Sequence, residues 1–265
     1  VTANPHASRA GLEILRAGGS AVDAAITIQM VLNVVEPQSS GIGGGAFLMH
    51  FASETGAIDA YDGRETAPAR ATPDMFQRSD GTWMKFHEAV PGGLSVGIPG
   101  VLRMLEMAHK KHGKLPWERL FQRAIQLAED GFSISPRLHA MIKRDRHLKK
   151  FDATNRYFFT ANGKVRPVGS RLTNPALANV FKVIAKSGAD AFYTSRFRSL
   201  DGGMCIASRY LATVRRAIST PSACRAAMIA SSERTLAGVS PSIICRIRAR
   251  PWPKWPESAS RMPCW

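Results

Sequence analysis

The amino-acid sequence predicts an α/β fold. Three observations lead there. Ala21 to Val35 is almost wholly apolar and carries a start signal in front of it, so it reads as a buried helix. Ala46 to Ala52 and Ala57 to Tyr61 flank Ser53-Glu54-Thr55-Gly56 and read as two strands of a hairpin. Beyond Pro99, apolar residues recur mainly at helical spacing between glycine and proline stops. With 265 residues and 45% apolar content, the chain has enough material for one large domain or two small ones.

Each element follows from local chemistry. Ala7 to Ala17 has helical spacing and ends at Gly18-Gly19. Ser20 is a suitable N-cap, and Asp23 three residues on completes a capping pair. Pro37 closes the helix that follows, and residues 38–45 form a loop. After the hairpin, Thr72-Pro73-Asp74 reads as a short helix start. Helices are then expected from Pro99-Gly100 to about His112, from Pro116 to Asp130, from Pro136 to Lys149 with a dense basic face, and from Asn174-Pro175 to Lys186. Gly131 and Gly188 end two of them. A turn or small hairpin is expected around Asn162-Gly163.

The chain changes character near Ser195. Residues 196–265 hold twelve basic but only three acidic residues, so most of the net charge of +16 is local to that tail. All four cysteines, Cys205, Cys224, Cys245 and Cys264, lie there with Trp252, Trp255 and Trp265. Three readings are open. Arginine with tryptophan suits a nucleic acid or a membrane surface. Four cysteines suit a disulfide module. An out-of-frame translation of a GC-rich gene would also give Arg, Ser, Ala, Pro, Cys and Trp without regard to packing. The third is favoured, because amphipathic period nearly vanishes, and a disordered tail is expected. No Cys-x-x-Cys pair exists, which argues against a zinc module. The domain division expected is therefore 1–195 and 196–265.

The longest apolar stretch, Ala24 to Val35, includes Gln29 and Asn33 and is too short to span a bilayer. The opening Val1-Thr2-Ala3-Asn4-Pro5 has neither a basic start nor an apolar run. Either a leader has been removed or the sequence begins inside its gene.

Four patterns could carry chemistry. Gly41-Ile42-Gly43-Gly44-Gly45 offers backbone N–H groups to an anion. It follows a helix and precedes a strand, the reverse of a nucleotide loop, so a close backbone approach is the favoured reading. Gly93-Leu94-Ser95-Val96-Gly97 has the spacing of a nucleophile elbow but not the strand-turn-helix context. A plain connection is favoured. Glu106, His109 and His112 share one predicted helix, but their spacing is not that of a metal-binding helix, and Lys110, Lys111 and Lys114 crowd the same end. A basic helix terminus is favoured there. Arg64, just after a strand and beside Gly63 and Glu65, is the strongest single candidate. A planar guanidinium grips a carboxylate with two parallel hydrogen bonds. The bland alternative is an ion pair with Glu65 or another carboxylate.

Three segments in this order, Gly18-Gly19-Ser20-Ala21-Val22-Asp23-Ala24-Ala25, Gly41-Ile42-Gly43-Gly44-Gly45-Ala46-Phe47 and Asp62-Gly63-Arg64-Glu65-Thr66-Ala67-Pro68, resemble the large-chain half of the γ-glutamyltranspeptidases. Ile98-Pro99-Gly100, Ala128-Glu129-Asp130-Gly131-Phe132 and Gly188-Ala189-Asp190-Ala191-Phe192-Tyr193 extend the resemblance to about residues 3–194. It implies the front part of an αββα amino-terminal-nucleophile hydrolase fold, a layered structure complete only when both halves are present. It implies γ-glutamyl transfer from, or hydrolysis of, glutathione and related amides, with Arg64 binding the donor's α-carboxylate. The nucleophile would be a threonine opening the second half, activated by its own amine, beside oxyanion-binding N–H groups of that half. Neither has a match here. The expectation is a truncated chain, inactive alone, or a large subunit paired with a separate small chain. A related acylase branch that cleaves β-lactam side chains shares the scaffold. No cofactor, metal, nucleic acid or membrane span is expected, and the family implies a periplasmic or extracellular setting.

Overall fold

The computed structural model describes residues 2–91 and 94–193. The expected tail, 196–265, lies outside these residues, as does Gly93 of the Gly93–Gly97 pattern.

The start signals work as the sequence predicts. The Asn4 side chain accepts from the His6 N–H, and Pro5 takes the first position of α1 (Pro5–Arg16). Ser20 and Asp23 exchange reciprocal hydrogen bonds at the head of α2 (Ala21–Val35). Helix α2 buries residues on every side, among them Ile26, Met30, Val31 and Val34.

β1 (Ala46–Ala52) and β2 (Ala57–Gly63) pair antiparallel, with His50 opposite Asp59 and Phe51 opposite Ile58. Strand β2 runs two residues beyond the expected Tyr61, to Gly63, whose Cα packs on Met104. The expected helix start at Thr72 is instead a turn. The N–H groups of Met75 and Gln77 reach back only three residues, to Thr72 and Asp74. A single helical turn, α3 (Phe86–Ala89), follows.

Helix α4 (Val101–His112) lies against the hairpin on one side and α2 on the other. The expected helix from Pro116 divides into a 3₁₀ turn, Trp117–Phe121, and α5 (Gln122–Asp130). A short pair missed in the sequence, β3 (Phe132–Ser133) with β4 (Arg171–Leu172), joins chain segments far apart. Helix α6 (Pro136–Arg144) stops well before the expected Lys149. The Asp145 carboxylate accepts the N–H groups of His147 and Leu148, which starts a new turn. Helix α7 (Asp152–Phe158) was not legible in the sequence. The turn at Asn162-Gly163 is present, bridged by Phe159 and Val165. Helix α8 (Pro175–Ser187) is capped by Asn174, and α9 (Asp190–Tyr193) follows Gly188.

The core is helical. Phe121, Phe181, Ile26, Met30, Leu102 and Ile184 are fully buried between α2, α4, α5, α8 and the 3₁₀ turn. Trp117, Phe121 and Phe181 meet edge to face in sequence. Among the described residues no helix is long and apolar enough to cross a membrane.

Candidate functional site

Three backbone segments cross at the end of β2. The Gly44 carbonyl accepts from both the Gly100 and Val101 N–H groups, each at 3.2 Å. Thr66 and Ile98 exchange backbone hydrogen bonds of 3.2 and 2.8 Å. The glycine-rich segment is thus clamped between the strand that delivers Arg64 and the strap that leads into α4. Crowding explains the glycines here. A Cβ on Gly45 would lie 2.8 Å from the Arg64 Cα, and one on Gly100 would lie 2.4 Å from the Gly63 carbonyl oxygen. The close-approach reading therefore holds at Gly45, while Gly41 and Gly44 have room for a Cβ.

Arg64 stands at this crossing. Its N–H donates to the Asp62 carboxylate at 2.9 Å, which fixes the backbone as it leaves the strand. Its guanidinium reaches the Glu65 carboxylate at 3.3 Å, yet the side chain stays 56% exposed. The ion pair with Glu65 is therefore present, and the guanidinium remains open to solvent. An exposed pair of this kind contributes between zero and about 1 kcal/mol. Glu65 is the more enclosed member. Its Oε2, the oxygen that faces the Arg64 guanidinium, is buried against Gly45.

The strap is fastened from behind. Tyr193 donates its hydroxyl proton to the Pro99 carbonyl at 2.9 Å. Arg103 pairs with Asp190 and lies 5.1 Å over the Tyr193 ring. The Arg103 guanidinium holds the Asp190 carboxyl below the usual range. Buried Glu36 anchors the other side of the loop. It takes the Asn4 amide at 2.8 Å and the Gln38 amide, and its carbonyl takes the N–H groups of Ser39 and Ser40. Sequence reasoning missed both anchors. A glutamate closing an apolar helix just before Pro37 was the available signal for the second. Beneath the loop is a cavity of about 300 Å³ lined by Val34, Pro37, Ile42, Tyr157, Leu177 and Phe192.

The other patterns resolve as structure. The Ser95 hydroxyl donates to the Val90 carbonyl at 2.8 Å. Glu106 accepts from the Ala189 N–H at 2.8 Å and from Arg103 and Lys110. His109 turns to the Leu115 carbonyl at 2.9 Å, while His112 faces Asp59 and Tyr61. The three do not converge.

Among the described residues, one face of the hairpin is uncovered. Phe47, Met49, Phe51 and Ile58 are 60 to 73% exposed and stand side by side. The other face carries Leu48, His50 and Tyr61, which are half-buried on the α4 side.

The family model for gamma-glutamyltranspeptidase matches residues 7–197. The glutathione hydrolase proenzyme of Bacillus subtilis is 43% identical over 196 residues, 74% of this chain and 33% of its own length. The crystal structure of Helicobacter pylori gamma-glutamyltranspeptidase superposes with a TM-score of 0.71 at 31% identity, covering 79% of this chain and 62% of that one. The Bacillus anthracis transpeptidase enzyme CapD superposes with a TM-score of 0.60 at 28% identity, covering 79% of this chain and 66% of that one. The chain spans about a third of the length of the curated relatives it matches.

Proposed function

Because this chain belongs to the γ-glutamyltranspeptidase family and has the front part of the αββα amino-terminal-nucleophile hydrolase fold, we propose that it supplies the donor-binding side of a γ-glutamyl transfer and glutathione hydrolysis site. Arg64 grips the α-carboxylate of the γ-glutamyl donor. The observation that carries this reading is the Arg64 guanidinium itself, held at a clamped backbone crossing yet mostly open to solvent. The catalytic threonine, its activating amine and the oxyanion N–H groups come from a polypeptide carrying the second half of the fold. That polypeptide lays its own sheet on the apolar face of Phe47, Met49, Phe51 and Ile58. Without that polypeptide, residues 2–193 should give no turnover.

The donor site would work by position and charge. Glu65 keeps the guanidinium oriented before the donor arrives, and the donor carboxylate then takes its place with two parallel hydrogen bonds. The γ-carbonyl is thereby fixed at the distance of one glutamyl side chain from Arg64, where the partner's threonine must attack.

The test combines this chain with a family second half and follows cleavage of a γ-glutamyl anilide. The chain alone should give no turnover, and the assembled pair should turn over. Arg64→Ala should raise KM by the loss of a charge-assisted pair, about 2–4 kcal/mol if the contact is enclosed. Arg64→Lys should recover only part, since an ammonium lacks the planar fork. Turnover by the chain alone, or an unchanged KM in both variants, would overturn the reading. The division at Ser195 and the out-of-frame origin of 196–265 have a separate test in the nucleotide sequence around codons 190–200. An alternative frame should there encode a family-like continuation.

A further inference from the structure

We propose that His50, Asp59 and His112 form a transition-metal site, best suited to zinc, that staples the hairpin to α4. The three residues are far apart in sequence and meet only through the fold. His50 and Asp59 are directly opposed on β1 and β2, and His112 is the last residue of α4. One ligand atom from each lies within 4.8 Å of the others.

The present contacts leave the groups poorly matched to one another. The His112 Nε2 atom has the Asp59 carboxylate at 3.0 Å and the Tyr61 hydroxyl at 2.9 Å. A neutral imidazole nitrogen carries one proton or one lone pair, so it serves one of these oxygens well and not both. The His50 ring stacks on the His112 ring with centroids 3.8 Å apart. Its Nδ1 is buried with no hydrogen-bond partner. Two imidazoles and a carboxylate therefore converge on a small volume, with the Tyr61 hydroxyl and the Lys111 ammonium as donors at its edge. A cation resolves all of these at once.

The donor set selects its class. Two imidazoles and one carboxylate suit zinc, nickel or copper and do not suit magnesium or calcium, which prefer oxygen. Zinc bonds to nitrogen and oxygen are about 2.0–2.2 Å, so neighbouring ligand atoms in a tetrahedral site stand about 3.3 Å apart. The 3.0 Å contact between His112 and Asp59 is close to that spacing already. The rings, now stacked 20° from parallel, must unstack by rotating about their side-chain bonds to aim both in-plane nitrogens at one point. The fourth position falls to water or to Tyr61. Lys111 is the opposing feature. Its ammonium holds the other Asp59 oxygen at 2.6 Å, which orients the carboxylate but repels a cation. The site lies on the α4 side of the hairpin, opposite the uncovered apolar face, so assembly with a second half leaves it in place.

The test uses the full 265-residue chain, freed of metal, with its four cysteines alkylated so that thiols cannot compete. Zinc chloride is titrated by calorimetry, and cobalt is used as a coloured substitute. One zinc per chain should bind, the thermal midpoint should rise on loading, and cobalt should give an intense tetrahedral spectrum. His50→Gln, which keeps size and polarity, should weaken zinc by roughly tenfold or more. Asp59→Asn should act in the same direction, and Lys111→Met should tighten binding by removing the repulsion. Should a variant fail to fold, the cobalt spectrum of the wild-type chain still decides, since a weak octahedral spectrum excludes the site. Equal zinc affinity in wild type and His50→Gln, or zinc binding with no change in thermal midpoint, would overturn the proposal.

Discussion

The helical layer and the hairpin are both rich in apolar side chains, and they use them oppositely. Helix α2 turns Ile26, Met30 and Val31 into a core closed by α5 and α8, so its apolar atoms are already out of water. The hairpin buries Gly63 and half-buries Leu48, and leaves Phe47, Met49, Phe51 and Ile58 facing solvent. Each of those four side chains would gain about 1.5–3 kcal/mol on full burial. The first region is stable through its own contacts. The second leaves its apolar side chains exposed, as the proposed assembly with another sheet requires, and it is the region that carries Arg64 at its end. The same polypeptide thus divides folding from assembly, and the division can be probed one residue at a time.

The largest effect is expected in the helical layer. Phe181→Ala should destabilise the chain by about 3–5 kcal/mol, because Phe181 is fully enclosed beside Phe121. Denaturant unfolding followed by far-ultraviolet circular dichroism measures it. A loss below 1 kcal/mol would mean that this layer relaxes around cavities and is less closed than its burial indicates.

Next is Asp23, which joins the layer to the chain after α4. One of its carboxylate oxygens accepts the N–H groups of Ser20, Lys114 and Leu115 at 2.8, 2.9 and 3.1 Å, and the residue is fully buried. Asp23→Ala strands those donors and should cost about 2–4 kcal/mol. Burial raises the affinity of this carboxyl for its proton, but the hydrogen bonds from Ser20, Lys114 and Leu115 outweigh it and hold the pKa below the usual value. The stability it contributes is therefore complete above about pH 4, the unfolded value, and is lost as pH falls through the lower folded value. The wild-type chain should lose stability over that acid range more steeply than Asp23→Asn, in unfolding curves taken at several pH values.

The smallest effect on the chain alone should come from the hairpin face. Phe47→Ser with Phe51→Thr should change unfolding free energy by about 0.5 kcal/mol or less, as for other exposed positions. The same pair should abolish association with a family second half and should lower self-aggregation, both visible by light scattering. A large destabilisation of the chain alone would show that the face is covered from within. That would erase the contrast between the two regions.

Much of this was legible before any coordinates. The Ser20–Asp23 box, the hairpin about residues 53–56 and the place of Arg64 just after a strand all follow from local chemistry. What stayed hidden depends on distance along the chain. The Gly100 strap beside Arg64 is seen only once Ile98 pairs with Thr66. The β3–β4 pair joins Phe132 to Leu172. His112 shares a helix with Glu106 and His109, read from the sequence as a basic helix terminus, and its pairing with Asp59 and Tyr61 on the hairpin was not legible. Helix α7 was missed for another reason. Its aromatic and β-branched residues favour it weakly, and buried Ala153 and Phe158 hold it in place.

The uncovered hairpin face also sets a clock. In a longer polypeptide that encodes the covering sheet further on, residues 46–63 leave the ribosome long before their lid exists. Synthesis proceeds at about 5–20 residues per second. A relative such as the Bacillus subtilis proenzyme has about two thirds of its length outside the matched segment, so the face waits on the order of tens of seconds. Asp62 stands opposite Phe47 on that face and breaks the apolar strip with a charge at one end. That carboxylate, which also caps the Arg64 N–H, is placed to keep nascent chains from zipping together while they wait.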